Sequence, residues 1–129
     1  MHRLNEHYTE SKGLHLNYSI ITDMIEAGKN VIDLGCGDGT LTKMLKDKGV
    51  RVSGIDINQD NIVKCLEKGL SVIQGDIDEG LQEYPDNSYD YAVLNQTLQS
   101  VEKPDYVIRE MLRVATVSYT HLRAHETRG

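Results

Sequence analysis

The stretch VIDLGCGDGT, residues 31–40, decides the fold of this chain. Its first four residues are a short, mostly apolar run that stops abruptly at glycines, a pattern typical of a buried strand. A helical stripe of Leu41, Met44 and Leu45 follows and ends at Gly49. Because a glycine-rich turn between a strand and a helix lets a ligand approach the backbone closely, the stretch indicates a binding loop. Ordinary turns also need glycine, so the loop alone leaves a purely structural role open.

The same strand–helix alternation extends along the chain on both sides of this loop. Strands are predicted at residues 50–57, 70–77 and 89–95, each an apolar segment bounded by turn residues. The remaining helical stripes are Ile20, Ile21, Met24 and Ile25, then Ile62, Cys65 and Leu66, then Val107, Ile108, Met111 and Leu112. Apolar strands alternating with helices predict an α/β fold, a Rossmann-like doubly wound parallel sheet with helices on both faces.

Capping residues predict where several of these helices begin and end. Asn17 or Ser19 suits the N-cap of the first helix, and Gly28 suits the left-handed position that ends it. Asn58 suits the N-cap of the helix after the second strand, and Pro104 stands where a first helical residue is expected. Each of these positions is a boundary that the backbone conformation can test.

Composition limits the classes of function open to the chain. Its 129 residues are enough for one domain, and the formal net charge is −6 with a pI near 5.3. No run of lysine and arginine stands out, so we expect no nucleic-acid ligand. No apolar run approaches the roughly 18 residues that span a bilayer, and the polar N-terminus is unlike a secretory signal, so we expect a cytoplasmic protein. Cys36 and Cys65 are too few for a disulfide framework or a zinc site.

Two carboxylates follow the next two predicted strands. Asp56 lies at the end of the second strand and Asp76 at the end of the third. Because parallel strands present their carboxyl ends at one edge of the sheet, both should lie beside the glycine loop. A carboxylate at the position of Asp56 can accept hydrogen bonds from a ribose diol. Each aspartate alone would more simply be a solvated or capping residue, but the three features together favour a nucleoside-type ligand.

The spacing of the glycines in the loop indicates which of two nucleoside cofactors suits it better. Dinucleotide-binding loops follow G-x-G-x-x-G, whereas this loop reads G-x-G-x-G from Gly35, with Thr40 where the last glycine would be. Asp33 and Asp38 flank it, and nearby carboxylates suit a cationic sulfonium better than a pyrophosphate. The sequence therefore favours S-adenosylmethionine (SAM) over NAD, which remains the weaker alternative.

Several stretches of this sequence resemble one family. VIDLGCGDGT looks like the SAM-binding motif of class I methyltransferases, which many members of that class share. The stretches GIDI, GLSVIQGDIDEGL, YDYAVLNQTLQ and IREMLRV are similar to the methionine biosynthesis protein MetW family, and the later ones are the more specific. The resemblance covers roughly residues 17–114, and it implies a class I methyltransferase type of sheet with SAM as the cofactor.

The resemblance also implies which residues hold the cofactor. The implied set is Asp33, Gly35, Cys36, Gly37, Gly39, Asp56, Ile57, Asp76, Ile77 and Asn95. The glycines would line the methionyl part, Asp33 would position its amino group, and Asp56 would bind the ribose hydroxyls. Ile57 and Ile77 would pack on the adenine, whose amino group Asp76 would meet.

No residue stands out as a catalytic base. Asn95 and Gln96, at the end of the fourth strand, would lie near the sulfonium and any acceptor. Methyl transfer from a sulfonium is a direct displacement, so positioning and electrostatics can suffice. The neighbours of Cys36 are acidic, and its side chain is expected to pack rather than react. The catalytic residues therefore stay unassigned, and no metal ligand set is expected.

Three functions remain open from the sequence. The resemblance implies a SAM-binding protein of methionine biosynthesis that works with homoserine O-acetyltransferase, for which SAM could be a signal rather than a substrate. A SAM-dependent methyltransferase acting on an unidentified small molecule is the alternative. An NAD-dependent enzyme is the third and weakest hypothesis.

The two ends of the chain depart from the pattern. Residues 1–16 are polar and predict a flexible lead-in, and residues 17–115 predict a SAM-binding domain that forms the N-terminal half of the fold. The stretch SYTHLRAHET, residues 118–127, resembles translated adapter sequence, so we expect residues 116–129 to be a non-native tail after a C-terminal truncation, with His121 and His125 not functional. A sheet cut at its fourth strand, or at a stub of a fifth, would leave an unpaired edge.

Overall fold

The computed structural model describes residues 14–95 and 101–120. The elements run in the order α1 (Leu14–Met24), β1 (Asn30–Leu34), α2 (Thr40–Lys48), β2 (Arg51–Asp56), α3 (Gln59–Glu67), β3 (Val72–Gln74), a 3-10 helix (Ile77–Glu79), β4 (Tyr89–Leu94), α4 (Pro104–Val114) and β5 (Ala115–Thr120). No helix in these two ranges is long and apolar enough to cross a bilayer.

The strands form one parallel sheet with the order β3-β2-β1-β4-β5. From β1 the chain moves outward to β2 and β3, then returns to place β4 on the other side of β1. Strand order therefore reverses between β1 and β4, and open α/β sheets bind ligands at the carboxyl ends of the strands beside such a point. The α/β, doubly wound architecture predicted from the sequence is confirmed.

Each face of the sheet carries its own apolar cluster. On one face, Tyr18 and Ile21 of α1 and Leu41 and Leu45 of α2 pack against Val31 and its neighbours. On the opposite face, α4 supplies the side chains of Val107, Met111 and Val114 to a cluster that includes strand residues of β1, β2 and β4. Helices thus cover both faces, as a parallel sheet of apolar strands requires.

Several predicted boundaries are confirmed at the level of individual caps. The Asn58 side chain accepts a hydrogen bond from the Asn61 N–H at 2.9 Å, and Pro104 is the first residue of α4. Gly28 has the left-handed φ that was predicted, +86°, but α1 ends at Met24, so the prediction that Gly28 ends this helix is wrong. Gly49 ends α2 in the left-handed conformation.

Three other boundaries differ from the prediction. Helix α1 begins at Leu14, so Asn17 and Ser19 lie inside it and do not cap it. The third strand spans only Val72–Gln74 rather than 70–77, because the chain turns at residues 75–76 into the 3-10 helix. Strand β5 is six residues long and pairs in parallel with β4, so the fifth strand is more than a stub.

The predicted lead-in and tail fall largely outside the described residues. Of residues 1–16, only 14–16 are described, and they belong to α1. Residues 121–129, with both tail histidines, are also outside the described ranges. A non-native origin for residues 116–129 stays a prediction, although 116–120 complete β5.

Arg113 of α4 fixes the loop between the 3-10 helix and β4. Its guanidinium donates hydrogen bonds to the carbonyl oxygens of Leu81 and Tyr84 at 2.8 and 2.9 Å, and to the carboxylates of Glu110 and Asp86. The Glu110 carboxylate in turn accepts the N–H of Leu81 at 3.0 Å. Glu110 and Arg113 of the IREMLRV stretch therefore anchor the segment that begins at Leu81, the last residue of GLSVIQGDIDEGL.

Candidate functional site

The glycine loop after β1 uses a backbone conformation that favours glycine. Gly35, Gly37 and Gly39 have φ values of +76°, +59° and +89°. A Cβ built on Gly39 would lie 2.6 Å from Leu70 Cδ1 and 2.9 Å from Cys65 Sγ, so this position also needs glycine for space. A Cβ on Gly37 would meet nothing within 4 Å, so that residue faces open space.

Four N–H groups of this loop already donate to the protein itself. Those of Gly35 and Cys36 donate to the carbonyl oxygen of Ile55, at 2.7 and 3.0 Å. The Gly39 N–H donates to the Cys36 carbonyl oxygen, and the Gly37 N–H donates to the carboxylate of Asp56. A pyrophosphate depends on free N–H donors at such a loop, so this arrangement disfavours a dinucleotide.

The carboxylate of Asp38, at the start of α2, also disfavours an anionic ligand. Asp38 Oδ1 accepts hydrogen bonds from the N–H and the hydroxyl of Thr40, at 3.1 and 2.7 Å. The Thr40 hydroxyl holds the pKa of Asp38 below its usual range, and burial opposes it only in part. The negative charge of Asp38 therefore stands at the helix N-terminus where an anionic ligand would otherwise bind.

Asp56 connects the end of β2 to the glycine loop. Its Oδ2 accepts the Gly37 N–H at 2.7 Å, and its Oδ1 accepts the Asn58 N–H at 2.9 Å and a long bond from the Asn61 amide at 3.4 Å. A carboxylate offers about four acceptor positions, so Oδ2 keeps capacity for one more donor and the weak Asn61 bond is replaceable. Asp56 is held rigidly with room for a hydroxyl-bearing ligand.

A pocket of about 150 Å³ opens beside this carboxylate. Its lining residues are Gly35, Asp56, Ile57, Gly75, Asp76, Ile77, Asp78 and Glu102. The Ile57 side chain is 62% exposed, whereas Ile77 is buried, so two apolar side chains border a partly open slot. Complete small-molecule sites usually measure about 300–1,000 Å³, so this slot matches one part of a ligand, such as a nucleobase.

The acidic residues of the pocket also hold its backbone in place. Asp76 Oδ1 accepts the Asp78 N–H at 2.9 Å and so caps the 3-10 helix. The Asp78 carboxylate accepts the N–H groups of Glu102 and Lys103, at 3.1 and 2.8 Å, just before α4. Asp78 and Glu102 were not among the sequence-predicted site residues. The alternation of acids in QGDIDEG signals Asp78, but nothing local signals Glu102.

Asp33 is the most unusual group of the site. It is fully buried in β1, its Oδ2 accepts the hydroxyl of Thr42 at 2.8 Å, and its Oδ1 has no hydrogen-bond partner. Loss of hydration raises the pKa of Asp33 to about 6, although the Thr42 and Asn95 side chains favour the ionised form. Native proteins rarely leave a buried carboxylate oxygen unpaired, so this atom suits a donor from a ligand.

Tyr18 of α1 belongs to the same buried polar group. Its hydroxyl donates to Asn95 Oδ1 at 3.1 Å, and Asn95 is 1% exposed beside Asp33. The sequence prediction placed Asn95 near a ligand but missed Tyr18, which lies in the apolar stripe of α1 and carries no local sign of a polar role. Gln96, predicted to act with Asn95, lies outside the described residues.

Cys36 has its side chain away from the pocket. It packs with Cys65 and Leu70, and burial raises the pKa of both thiols. The Cys65 thiol donates to the Gly37 carbonyl oxygen at 3.3 Å, so the two cysteines contact and stabilise the glycine loop. As the sequence indicated, the Cys36 side chain packs, and only its backbone belongs to the loop.

The structure therefore divides the predicted set into three groups. The slot gathers Gly35, Asp56, Ile57, Asp76 and Ile77. Asp33 and Asn95 form a second, buried group. The rest of the predicted set, Cys36, Gly37 and Gly39, forms the backbone of the glycine loop. No group of three or more histidine, cysteine or acidic side chains within residues 14–95 and 101–120 is arranged to hold a metal ion.

Two of the curated relatives of this chain match most of its length. A chain from Rhodopirellula baltica named bifunctional methionine biosynthesis protein MetXA/MetW is 33% identical over 87% of this chain and 21% of its own length. The ubiquinone biosynthesis O-methyltransferase of Pseudomonas fluorescens is 32% identical over 88% of this chain and 53% of its own. The chain thus spans between a fifth and about half of the length of these curated relatives.

The solved structures and the family comparison agree with each other. A SAM-dependent methyltransferase from Methanosarcina mazei superposes with a TM-score of 0.65 at 28% identity, covering 74% of this chain and 51% of that one. The fold is therefore the Rossmann-like fold of SAM-dependent methyltransferases. The sequence model of the family described as methionine biosynthesis protein MetW matches residues 15–122. With nearly the whole described chain matched, this protein belongs to the MetW family.

Proposed function

We propose that this protein binds SAM at the carboxyl ends of β1, β2 and β3. The observation that carries the proposal is the unpaired, buried Oδ1 of Asp33, two residues before Gly35, which lines the slot together with Asp56, Ile57 and Ile77. The slot takes the adenine between the two isoleucines, and the free capacity of Asp56 takes a ribose hydroxyl. The open space at Gly37 takes the methionyl chain.

Asp33 supplies the counter-charge for the amino group of the ligand. An ionised carboxylate that is fully buried is costly unless a cation or hydrogen-bond donors compensate it. The ammonium group of SAM supplies both the charge and a donor for Oδ1, directly or through water. Binding a cation there lowers the pKa of Asp33 again, because an opposite charge favours the ionised form.

Bound SAM supplies an electrophilic methyl group on a sulfonium. This chain contributes binding and orientation, while the described site residues include no group placed as a general base. Asn95 is already engaged by Tyr18, and the thiol of Cys36 faces the core. The residues present therefore support a SAM-binding role more directly than a defined methyl transfer.

We propose that SAM binding serves methionine biosynthesis in the cytoplasm, together with a homoserine O-acetyltransferase. The family match supports the pathway, and the name of the Rhodopirellula baltica relative joins MetXA and MetW in one polypeptide. SAM is made from methionine, so its occupancy could report the state of the pathway to the acetyltransferase. The specific observation that favours the alternative, a small-molecule methyltransferase, is the 32% identity to an O-methyltransferase.

Calorimetric titration with SAM tests the cofactor assignment. Saturable binding is expected, and Asp56→Ala should weaken it by roughly 1.5–3 kcal/mol, since charge-assisted hydrogen bonds of a carboxylate are lost. Asp60→Ala, which removes an exposed carboxylate of α3, is the matched control and should leave the affinity unchanged. Tight binding of NAD with no binding of SAM would overturn the proposal.

A second measurement separates the two uses of SAM. A SAM-dependent change in the activity or assembly of the acetyltransferase supports the role in methionine biosynthesis. Turnover of SAM to S-adenosylhomocysteine with a small-molecule acceptor, and no effect on the acetyltransferase, supports the alternative.

A further inference from the structure

A second cavity lies on the sheet face that carries α4, next to the edge strand β3. It measures about 350 Å³, and we call it the β3 groove. Its lining residues are Ile55, Ile73, Gln74, Gly75, Asp76, Ile77, Glu79, Gly80, Leu81, Gln82, Glu83 and Tyr84. The floor is formed by aliphatic side chains from β2 and β3, and the walls by the 3-10 helix and the loop after it.

Helix α4 leaves this part of the sheet uncovered. It packs on β4, β5 and the 3-10 helix, and its Arg113 holds the loop after that helix in place. Ile73 pairs in register with Ile55, yet Ile55 is 5% exposed and Ile73 is 50% exposed. Parallel sheets are normally covered on both faces, so the half-exposed Ile73 leaves this part of the sheet with apolar area available to a partner.

The walls of the β3 groove carry charge of one sign. Asp76, Glu79 and Glu83 line it, and no lysine or arginine does. All three are exposed, and within residues 14–95 and 101–120 neither glutamate takes part in an ion pair. An apolar floor beneath acidic walls is complementary to an aliphatic side chain flanked by basic residues.

We propose that the β3 groove docks a segment of a partner protein that places an aliphatic side chain on Ile73 and lysine or arginine residues against Glu79 and Glu83. The apolar floor supplies the buried contact, and the glutamates set orientation and association rate. A basic segment is preferred over an acidic or neutral one because like charges across such a surface oppose docking.

The β3 groove shares a wall with the SAM slot. Residues 75–77 line both cavities, so one short segment borders both the slot and the groove. A ligand packed on Ile77 from the slot therefore contacts the segment that a partner contacts from the groove. This coupling rests on the proposed function, and it gives the acetyltransferase a way to respond to SAM.

Interferometry with immobilised homoserine O-acetyltransferase tests the docking surface. The double variant Glu79→Lys/Glu83→Lys should weaken binding at least tenfold, and Ile73→Ser should weaken it severalfold. Glu26→Lys/Glu67→Lys makes the same change in net charge at exposed sites outside the groove and should alter binding less than twofold. SAM affinity and urea stability of each variant confirm that its fold and slot are retained.

Two outcomes overturn the proposal in distinguishable ways. If the wild-type chain binds and the groove variants bind as well as the control, the surface is wrong while the proposed function stands. If the wild-type chain binds SAM but not the acetyltransferase, the docking proposal and the partner assignment both fail. Loss of binding in the groove variants alone supports the proposal.

Discussion

Asp33→Asn should remove a pH dependence of stability that originates inside the sheet. The substitution keeps the shape of the side chain and its hydrogen bond with Thr42, but it cannot ionise. Burial raises the pKa of Asp33 from 3.8 to about 6, so the native protein holds a proton that the unfolded chain releases between these values.

The sign and size of the effect follow from that difference. The contribution of Asp33 to stability is fully present below about pH 3, where both states are protonated, and it is lost by about pH 7, as the pH rises past the native pKa of about 6. The free energy of unfolding should fall by about 3 kcal/mol across this range, since a tenfold change in an ionisation constant is worth about 1.4 kcal/mol.

Urea denaturation between about pH 3 and pH 7 measures this contribution directly. The difference in unfolding free energy between the variant and the wild type should shift by about 3 kcal/mol in favour of the variant over this range. The amide leaves an unpaired donor where Oδ1 stood, but that cost is the same at every pH and cancels. Thr42→Val removes a hydrogen bond to the carboxylate, so it should raise the pKa further and extend the decline to higher pH.

Asp23→Asn, an exposed carboxylate of α1, is the matched control and should change little across the range. A constant difference between Asp33→Asn and the wild type from about pH 3 to pH 7 would show that the carboxylate ionises equally in both states, and the predicted pH dependence would then be wrong. Added SAM should flatten the wild-type curve but not that of the variant, if the ligand cation compensates Asp33.

Three further predictions concern groups that support the site. Gly39→Ala should lower the free energy of unfolding by about 2 kcal/mol or more in urea, because a Cβ would crowd Leu70 in a left-handed conformation. Tyr18→Phe keeps the packed ring but leaves Asn95 Oδ1 without its hydroxyl donor. The free energy of unfolding, measured by scanning calorimetry, should therefore fall by about 1–3 kcal/mol. Arg113→Lys replaces a planar donor group by a single ammonium, so amide hydrogen exchange should accelerate in residues 81–87 with little change in β1.

The sheet could be predicted from sequence because its signals are local. Apolar runs bounded by turn residues predicted β1, β2 and β4, and Asn58 and Pro104 marked two helix starts that the structure confirms. The excess length predicted for the third strand has a local cause too, since Ile77 continues the apolar alternation. Its backbone is nevertheless in a 3-10 helix, because Asp76 caps it.

The electrostatic part of the site could not be predicted in the same way. The aspartates at the strand ends were predictable, because parallel topology brings consecutive carboxyl ends together. The bond from Tyr18 to Asn95 spans 77 positions in sequence, and the unpaired Oδ1 of Asp33 depends on what every neighbouring element leaves unfilled. Satisfaction of buried polar atoms is a property of the packed chain, so no local pattern signals it.

Cys36 and Cys65 pack beneath the glycine loop, so the reactivity of their thiols reports when that loop opens. Both thiols are buried and burial raises their pKa, so an external disulfide reagent reaches them only when the segment opens. The rate of thiol labelling then measures the free energy of that opening, without any probe attached to the chain. A ligand bound to the loop should slow the labelling in proportion to its occupancy. The labelling rate of two thiols that lie outside the ligand site can therefore be used to follow binding.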